Sequence, residues 1–257
     1  MSKFIIQGGK ELAGEVRISG SKNAALPIIA ATVLVKGKIT LYNVPNIQDV
    51  QTMFEIIRDI GGKVTKKNNK MIIDTSKINT YEIPENLMRK MRSSVILAGA
   101  IIGKYNKANF SYPGGCEIGS RPIDLHLKGF EKLGINIKEE YGEIICNAEK
   151  IEGTQIHLDF PSVGATENII LGACMAEGTT ILTNAAKEPE IEDMVKFLNK
   201  AGAKIRGAGT DRVEIIGVKK LFEISYNIMP DRIEAGTYLV AGAITGGNVK
   251  IINANPN

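Results

Sequence analysis

An internal repeat constrains this chain more than any other feature of its sequence. The segment Gly37–Val64 aligns without a gap on Gly178–Ile205, so that Asn43, for example, falls on Asn184. A middle copy lies between the two, and its helix ends at Leu133-Gly134. Copies of one segment indicate a fold built from repeated supersecondary units that bury their apolar faces against one another.

The copies share one order of predicted elements. A small-residue apolar helix comes first, followed by a strand, an amphipathic helix that ends at a glycine, and two closing strands. A helix that is apolar nearly all round is typical of the inside of a domain, with sheets outside it. The sequence therefore predicts an α/β fold in which three units form a pseudo-threefold domain around central helices. The predicted first helices are Ala24–Val35, Met91–Gly103 and Ala165–Ala176.

Both ends of the chain depart from this repeat. Two short strands, Phe4–Gln7 and Glu15–Ile18, are predicted before the first unit. A fourth unit opens with another small-residue helix at Asp231–Gly247 and a strand within Gly247–Pro256. The amphipathic helix and closing strands of that unit do not follow, so we expect the chain to stop inside a second domain.

Composition argues against several classes of function. The 257 residues include 32 basic and 28 acidic side chains, a balance that does not favour nucleic acid as a partner. The three cysteines are widely spaced and form no CxxC pair, which favours a reducing compartment and gives no reason to expect zinc. The N-terminus lacks the apolar core of a signal peptide, and no 18-residue apolar run occurs. We expect a cytoplasmic protein that does not span a membrane.

The middle copy carries extra loop residues in Ser111–Leu125, SYPGGCEIGSRPIDL. Cys116 stands beside Glu117 between glycine-rich turns, where a nearby cation would tune it as an acid or hold part of it as thiolate. Arg121 offers a planar fork suited to phosphate or carboxylate, and Pro122 is predicted as a first helical position. A buried cysteine beside a turn is the alternative, and the loop context favours the functional interpretation.

A second candidate site is the Gly-Ser-Lys-Asn turn that opens the first alanine-rich helix, at Ser19–Pro27. An anion bound there would meet free backbone N–H groups and the cation of Lys22. An ordinary helix start explains the same residues equally well, because Ser, Gly and Asn all favour that position.

Five motifs together resemble the UDP-N-acetylglucosamine 1-carboxyvinyltransferases, a family of enolpyruvyl transferases, from Ser2 to Asn257. They are ISGSKNAALP, PGGCEIGSRPIDLH, SVGATENI, AAKEPEIEDM and MPDRIEAGT. The resemblance implies two domains of three repeats each, an inside-out α/β barrel with internal helices and outer sheets, and a site in the cleft. Residues 21–229 would then form the first domain, whereas 1–20 and 230–257 would belong to the second.

The resemblance also implies an activity. The family transfers the enolpyruvyl group of phosphoenolpyruvate to the 3′-hydroxyl of UDP-N-acetylglucosamine, the first committed step of peptidoglycan synthesis in bacteria, and releases phosphate. No metal or other cofactor is implied. We expect the complete enzyme to be a monomer and this chain alone to lack activity, with the part beyond Pro230 either poorly ordered or associated with another copy.

Roles follow from the position of each residue in the matching motifs. Cys116 would donate a proton to the methylene carbon of phosphoenolpyruvate and would be the thiol alkylated by fosfomycin. Lys22 and Arg121 would hold the phosphate and carboxylate of phosphoenolpyruvate, Asn23 would face the acceptor sugar, and Arg92 would lie near both substrates. The other implied contacts to the sugar nucleotide are Arg121, Pro122, Ile123, Asp124 and Leu125 at the uridine, and Ser162, Val163 and Gly164 near the diphosphate.

One residue departs from the family pattern, and two further interpretations stay open. Phe160 occupies a position that is often lysine, which puts one cation for the diphosphate in doubt. The family's general base, an aspartate, and further arginines would follow Asn257.

A shikimate-type enolpyruvyl transferase is one alternative, although the Cys116 loop counts against it. A non-catalytic binding module that keeps only the three-unit domain is the other.

Several polar residues and thiols receive simpler predictions. His126 is predicted either to contact substrate or to lie on a helix surface. Cys146 and Cys174 stand in apolar runs, which indicates core thiols. Hinge or domain-contact roles are predicted for Glu188, Glu190 and Asp231-Arg232.

Overall fold

The computed structural model describes residues 3–114 and 122–256, and the helices and strands below lie in these ranges. The helices are α1 (Lys22–Ala31), α2 (Gln48–Asp59), α3 (Glu85–Met88), α4 (Ile96–Tyr105), α5 (Asp124–Lys132), α6 (Val163–Ala173), α7 (Pro189–Lys200) and α8 (Arg232–Ile244). The strands are β1 (Ala13–Arg17), β2 (Lys38–Tyr42), β3 (Lys63–Lys67), β4 (Lys70–Asp74), β5 (Lys107–Ser111), β6 (Asn136–Glu140), β7 (Glu143–Asn147), β8 (Gln155–His157), β9 (Thr179–Thr183), β10 (Lys204–Arg206), β11 (Arg212–Ile216), β12 (Ser225–Asn227) and β13 (Asn248–Ile252).

Each of the three units contributes an antiparallel sheet. The orders are β2-β4-β3 in the first unit, β5-β7-β6 in the second and β9-β11-β10 in the third. A parallel strand extends two of these sheets: β12 pairs with β2, and β8 pairs with β9. Because β12 follows the third unit in the chain and joins the sheet of the first, it links the end of the domain to its beginning.

The first helices of the units form the interior. Nearly all residues of α1, α4 and α6 are buried, and α4 packs against both α1 and α6. Small side chains allow this close packing: a Cβ added at Gly99 of α4 would lie 2.4 Å from the carbonyl oxygen of Asn168 in α6. The predicted architecture of internal helices and outer sheets is confirmed.

The amphipathic helices end as the sequence predicts. Gly61, Gly134 and Gly202 follow α2, α5 and α7 with φ values of 102°, 87° and 109°. An L side chain rarely adopts these values, so glycine stops each helix and turns the chain into the closing strands.

An asparagine repeats at the end of the strand that follows each of three internal-type helices. Asn43, Asn184 and Asn253 have φ values of 56°, 55° and 63°. Their side-chain amides donate to the carbonyl oxygens of Ile228, Leu158 and Ile18 respectively, at 2.7–2.9 Å. In each case the bond joins the strand to the end of its parallel neighbour: β2 to β12, β9 to β8, and β13 to β1.

The two ends of the chain meet in a separate two-stranded sheet. β1 pairs in parallel with β13, and Ser21 N–H donates to the Met229 carbonyl beside a second bond from Asp231 N–H to the Ser19 carbonyl. The prediction of a strand at Phe4–Gln7 is wrong: the segment has no regular structure, and Phe4 is 96% exposed. A strand needs a partner edge, and none of the described residues offers one there. That these elements belong to a second domain stays a prediction.

Candidate ligand-binding site

A cavity of about 580 Å³ lies where the N-terminal ends of the internal helices converge. The Ser21 and Ser162 side chains cap α1 and α6 by accepting from the backbone N–H groups of Ala24 and Ala165. The first N–H groups of a helix carry a partial positive charge and lack partners within the helix, so this end of the domain is suited to an anionic ligand.

Six of the residues that the resemblance implies bind substrate line this one cavity. They come from all three units, which the chain brings together only in the folded structure. They are Asn23 of α1, Arg92 just before α4, Pro122 just before α5, and Ser162, Val163 and Gly164 at the start of α6.

Other predicted residues lie elsewhere. Lys22 is the first residue of α1, and its Nζ lies 3.1 Å from Asp49 Oδ2 instead of lining the cavity. Ile123 is buried, Asp124 is exposed in the first turn of α5, and Leu125 lines a different cavity beside β8. Cys116 and Arg121 lie outside the described residues.

The start of α5 differs from the prediction. Pro122 is not the first helical position, because Ile123 has φ −108° and ψ 16°, and the helix begins at Asp124. The Pro122 carbonyl instead accepts a hydrogen bond of 2.9 Å from the Arg92 guanidinium. This contact holds the cation of Arg92 at the cavity wall.

His126 lies inside the domain, not on a helix surface. It is 6% exposed, and the Asn168 amide donates to its Nδ1 at 2.7 Å. The Asn168 oxygen accepts from Gly99 N–H, which identifies its nitrogen as the donor to His126. Burial, reinforced by Arg92, lowers the pKa of His126 to about 4. The imidazole is therefore neutral at pH 7, with its proton on Nε2.

A carboxylate pair from the third unit meets the fourth unit at the cavity. Arg232 donates to both oxygens of Glu190, at 2.9 and 3.2 Å, and the Glu190 side chain is only 3% exposed. Glu188 also lines the cavity, and its Oε2 is buried without a hydrogen-bond partner among the described residues. The ion pair joins the third unit to α8, whereas the hinge or domain-contact roles predicted for these residues stay predictions.

Glu167 is the functional candidate that the sequence interpretation missed. It lies one turn into α6, is 2% exposed, and lines the cavity. Burial, with a further contribution from Glu190 and Glu188, raises its pKa well above the usual value. A signal was present in the sequence, because Glu167 is the one charged residue in the otherwise uncharged helix VGATENIILGA.

Other side chains behave as the sequence suggests. Cys146 and Cys174 are buried, and burial raises the pKa of each thiol to about 12, as expected of core thiols. Phe160, at the position often occupied by lysine, is 66% exposed and brings no cation to the cavity. Within residues 3–114 and 122–256, no helix is long and apolar enough to cross a membrane.

The cavity thus offers a mixed chemical environment. Arg92 and the helix N-termini favour an anion, and the acids Glu167, Glu188 and Glu190 line the same cavity. Apolar side chains such as Leu26 and Ile96 complete it. Such a site suits a ligand that joins an anionic part to a neutral polar part.

Sequence comparisons identify relatives along nearly the whole chain. The sequence model of the family described as EPSP synthase (3-phosphoshikimate 1-carboxyvinyltransferase) matches residues 6–257. The chain is 54% identical over 254 residues to UDP-N-acetylglucosamine 1-carboxyvinyltransferase 2 of Caldanaerobacter subterraneus subsp. tengcongensis, covering 99% of this chain and 61% of that protein. It is 47% identical over 253 residues to UDP-N-acetylglucosamine 1-carboxyvinyltransferase of Geobacter metallireducens, covering 98% and 61%. The chain therefore spans about 61% of the length of these relatives.

Solved structures agree on the fold. The enolpyruvyl transferase NikO from Streptomyces tendae superposes with a TM-score of 0.80 at 25% identity, over 91% of this chain and 56% of that one. An EPSP synthase from Acinetobacter baumannii superposes with a TM-score of 0.75 at 20% identity, over 98% of this chain and 58% of that one. The expected enolpyruvyl transferase fold and the predicted resemblance to UDP-N-acetylglucosamine 1-carboxyvinyltransferases are both confirmed.

Proposed function

The chain belongs to the EPSP synthase (3-phosphoshikimate 1-carboxyvinyltransferase) family, and on that premise we propose that it serves in enolpyruvyl transfer to UDP-N-acetylglucosamine. The donor would be phosphoenolpyruvate, the acceptor the 3′-hydroxyl of the sugar, and the second product phosphate. The names of the relatives at 47–54% identity favour this acceptor over shikimate 3-phosphate.

One observation carries the proposal. Asn23, Arg92 and the Ser162–Gly164 turn reach a single cavity from three different units, although the sequence separates them widely. The two capped helix ends and Arg92 suit a diphosphate. The polar and apolar remainder of the wall suits a sugar.

The proposed reaction needs a proton donor, fixed cations and a base. A proton adds to the methylene carbon of phosphoenolpyruvate while the sugar oxygen bonds to the adjacent carbon and gives up its own proton. The carbon–oxygen bond to phosphate then breaks, and the new methyl group loses a proton to restore the vinyl group. Cys116 is proposed as the acid, and Lys22 and Arg121 as the cations that neutralise the phosphate and carboxylate. The resemblance assigns the base to a part of the family's sequence that this chain does not span.

In this scheme Lys22 must exchange its present partner, Asp49, for the phosphate of phosphoenolpyruvate. Its Nζ pairs with Asp49, and both side chains are partly exposed, at 43% and 37%. An exposed ion pair contributes little, about 0–1 kcal/mol. A doubly charged phosphate would therefore compete readily for the ammonium group.

Titration calorimetry on the purified chain tests the acceptor. We expect UDP-N-acetylglucosamine to bind and shikimate 3-phosphate not to bind. Arg92→Ala should weaken the binding of UDP-N-acetylglucosamine about tenfold or more, because a hydrogen bond to a charged group contributes about 1.5–3 kcal/mol. Arg212→Ala is the matched control, since Arg212 lies on β11 and does not line the cavity.

The result that would contradict the proposal is equally specific. Binding of shikimate 3-phosphate in place of the sugar nucleotide would assign the chain to the other branch of its family. Equal losses in Arg92→Ala and Arg212→Ala would show that the cavity is not the acceptor site.

A further inference from the structure

Glu167 has no part in the proposed chemistry, yet it occupies the cavity wall. Its side chain is 2% exposed and makes no hydrogen bond or ion pair within the described parts of the chain. A buried polar group without a partner costs about 1–3 kcal/mol. Native proteins satisfy such groups with a ligand or an ordered water, and the cavity beside Glu167 leaves room for either.

The surroundings of Glu167 disfavour its charge. Burial is the largest cause of its raised pKa, and Glu190 and then Glu188 add to it. Arg232, a cation at the same cavity, is already bonded to both oxygens of Glu190. Among the described residues, the charged or titratable groups that line the cavity are Arg92, His126, Glu167, Glu188, Glu190 and Arg232.

A carboxylic acid that keeps its proton differs from a carboxylate in what it can bind. It offers one O–H donor together with a carbonyl acceptor, so it can pair with an amide or a hydroxyl group. A cationic ligand would draw the proton away, and an anionic group would be repelled by Glu188 and Glu190. The chemistry that fits is therefore an uncharged group with both a donor and an acceptor.

We infer that Glu167 is a specificity-determining residue that hydrogen-bonds an uncharged polar group on the sugar of the acceptor. This inference rests on the proposed function, because it takes the acceptor to be UDP-N-acetylglucosamine. Two groups of that sugar share the required chemistry, the acetamido group and the hydroxyl groups. Leu26, Ile96 and Val163 line the same cavity and would suit the methyl of an acetamido group.

Calorimetric titration with UDP-N-acetylglucosamine from mildly acidic to alkaline pH tests the inference. Affinity of the unmodified protein should fall as pH rises, because Glu167 loses its donor and gains a charge beside two carboxylates. Glu167→Gln keeps a donor and an acceptor at every pH, so it should bind with nearly constant affinity. Glu167→Ala should lose about tenfold at acidic and neutral pH, as expected for one lost hydrogen bond.

A neighbouring variant distinguishes titration of Glu167 from a merely structural role. Glu188→Gln removes one of the negative charges that hold the proton on Glu167. The pH at which affinity falls should therefore move down in Glu188→Gln, whereas Glu167→Gln should have no such transition. A side chain that only fills space would not produce this shift.

A second ligand identifies the group that Glu167 binds. UDP-glucose carries a hydroxyl where UDP-N-acetylglucosamine carries the acetamido group. If Glu167 bonds the acetamido group, Glu167→Ala should bind UDP-glucose as well as the unmodified protein does. If it bonds another hydroxyl, the loss of about tenfold should persist with UDP-glucose.

The outcomes separate this inference from the proposed function. If the unmodified protein does not bind UDP-N-acetylglucosamine at all, the proposed function is wrong and this inference falls with it. If it binds, but the Glu167→Gln protein shows the same pH profile, the inference alone is overturned. Should Glu167→Ala fail to fold, the pH profiles of the two Gln variants still decide.

Discussion

Two helices of this chain are rich in small apolar residues and begin corresponding units of the repeat, but their surroundings differ. In α6, every residue from Ala165 to Ala173 is buried. In α8, only Ala235 and Gly242 are buried among the residues of the helix, while Val240 is 59% and Ile244 is 79% exposed. A composition of small apolar residues therefore indicates that a helix can be buried. Whether it is buried depends on the elements packed around it.

The neighbours account for the difference. α6 packs against α4, α5 and α7, so that other helices cover it. α8 packs against β13, which among the described strands pairs only with β1. Its N-terminus is nonetheless well fixed, because the Asp231 carboxylate accepts from the N–H groups of Ile233, Glu234 and Lys22. The predictions below use matched substitutions in the two regions.

The largest contrast is expected for leucine. Leu171 of α6 is fully buried, and Leu239 of α8 is 61% exposed. Leu171→Ala should lower the free energy of unfolding by about 2–5 kcal/mol, because it removes packed methyl groups and leaves a cavity. Leu239→Ala should change it by no more than about 0.5 kcal/mol. Urea denaturation followed by circular dichroism measures both.

A large loss in Leu239→Ala would break the comparison. It would show that α8 is covered in solution, for instance by a second copy of the chain. Sedimentation velocity at several protein concentrations would then separate self-association from burial within one chain.

The internal repeat made most of the fold predictable. Its elements follow from local patterns: apolar periodicity marks the helices, and a glycine such as Gly61 marks the end of each amphipathic helix. Strand pairing between distant parts of the chain carries no such local signal. This is why β12, which joins the first unit's sheet from the far end of the third, was not predicted, and why Phe4–Gln7 was wrongly taken as a strand.

The residues of the candidate site that belong to the family motifs could be predicted from the sequence. The resemblance singled out Asn23, Arg92 and the turn at Ser162, which the fold brings to one cavity. The buried environment of Glu167 could not be predicted from a motif in this way. Its pKa is raised first by burial and then by Glu190 and Glu188, and both effects exist only once the third unit has folded.

Replacing a glycine by alanine gives a second contrast, because the expected change in stability has opposite signs in the two regions. A Cβ at Gly99 would lie 2.4 Å from the Asn168 carbonyl oxygen, whereas a Cβ at Gly236 of α8 would meet no atom within 4 Å. Gly99→Ala should destabilise the protein by about 1–3 kcal/mol, because α4 and α6 must move apart. Gly236→Ala should stabilise it by about 0.5–1 kcal/mol, because alanine is the better helix former. Thermal and urea unfolding of both variants check the signs, and destabilisation by Gly236→Ala would indicate an unseen neighbour of α8.

The smallest effect is expected at the ion pair that joins the two end strands. Lys250 of β13 lies 2.6 Å from Glu15 of β1, and the two side chains are 68% and 56% exposed. Water and salt screen such a pair, so Lys250→Met should change the free energy of unfolding by no more than about 0.5 kcal/mol. Raising the salt concentration should remove even that difference.

The Asn253 amide bond to Ile18 and the backbone ladder would then be the contacts that hold β1 to β13. Hydrogen exchange at Val249 and Ile251 gives the local readout: their amides should exchange at nearly the same rate in Lys250→Met as in the unmodified protein. Much faster exchange would show that the ion pair, and not the backbone ladder, fastens this end of the chain.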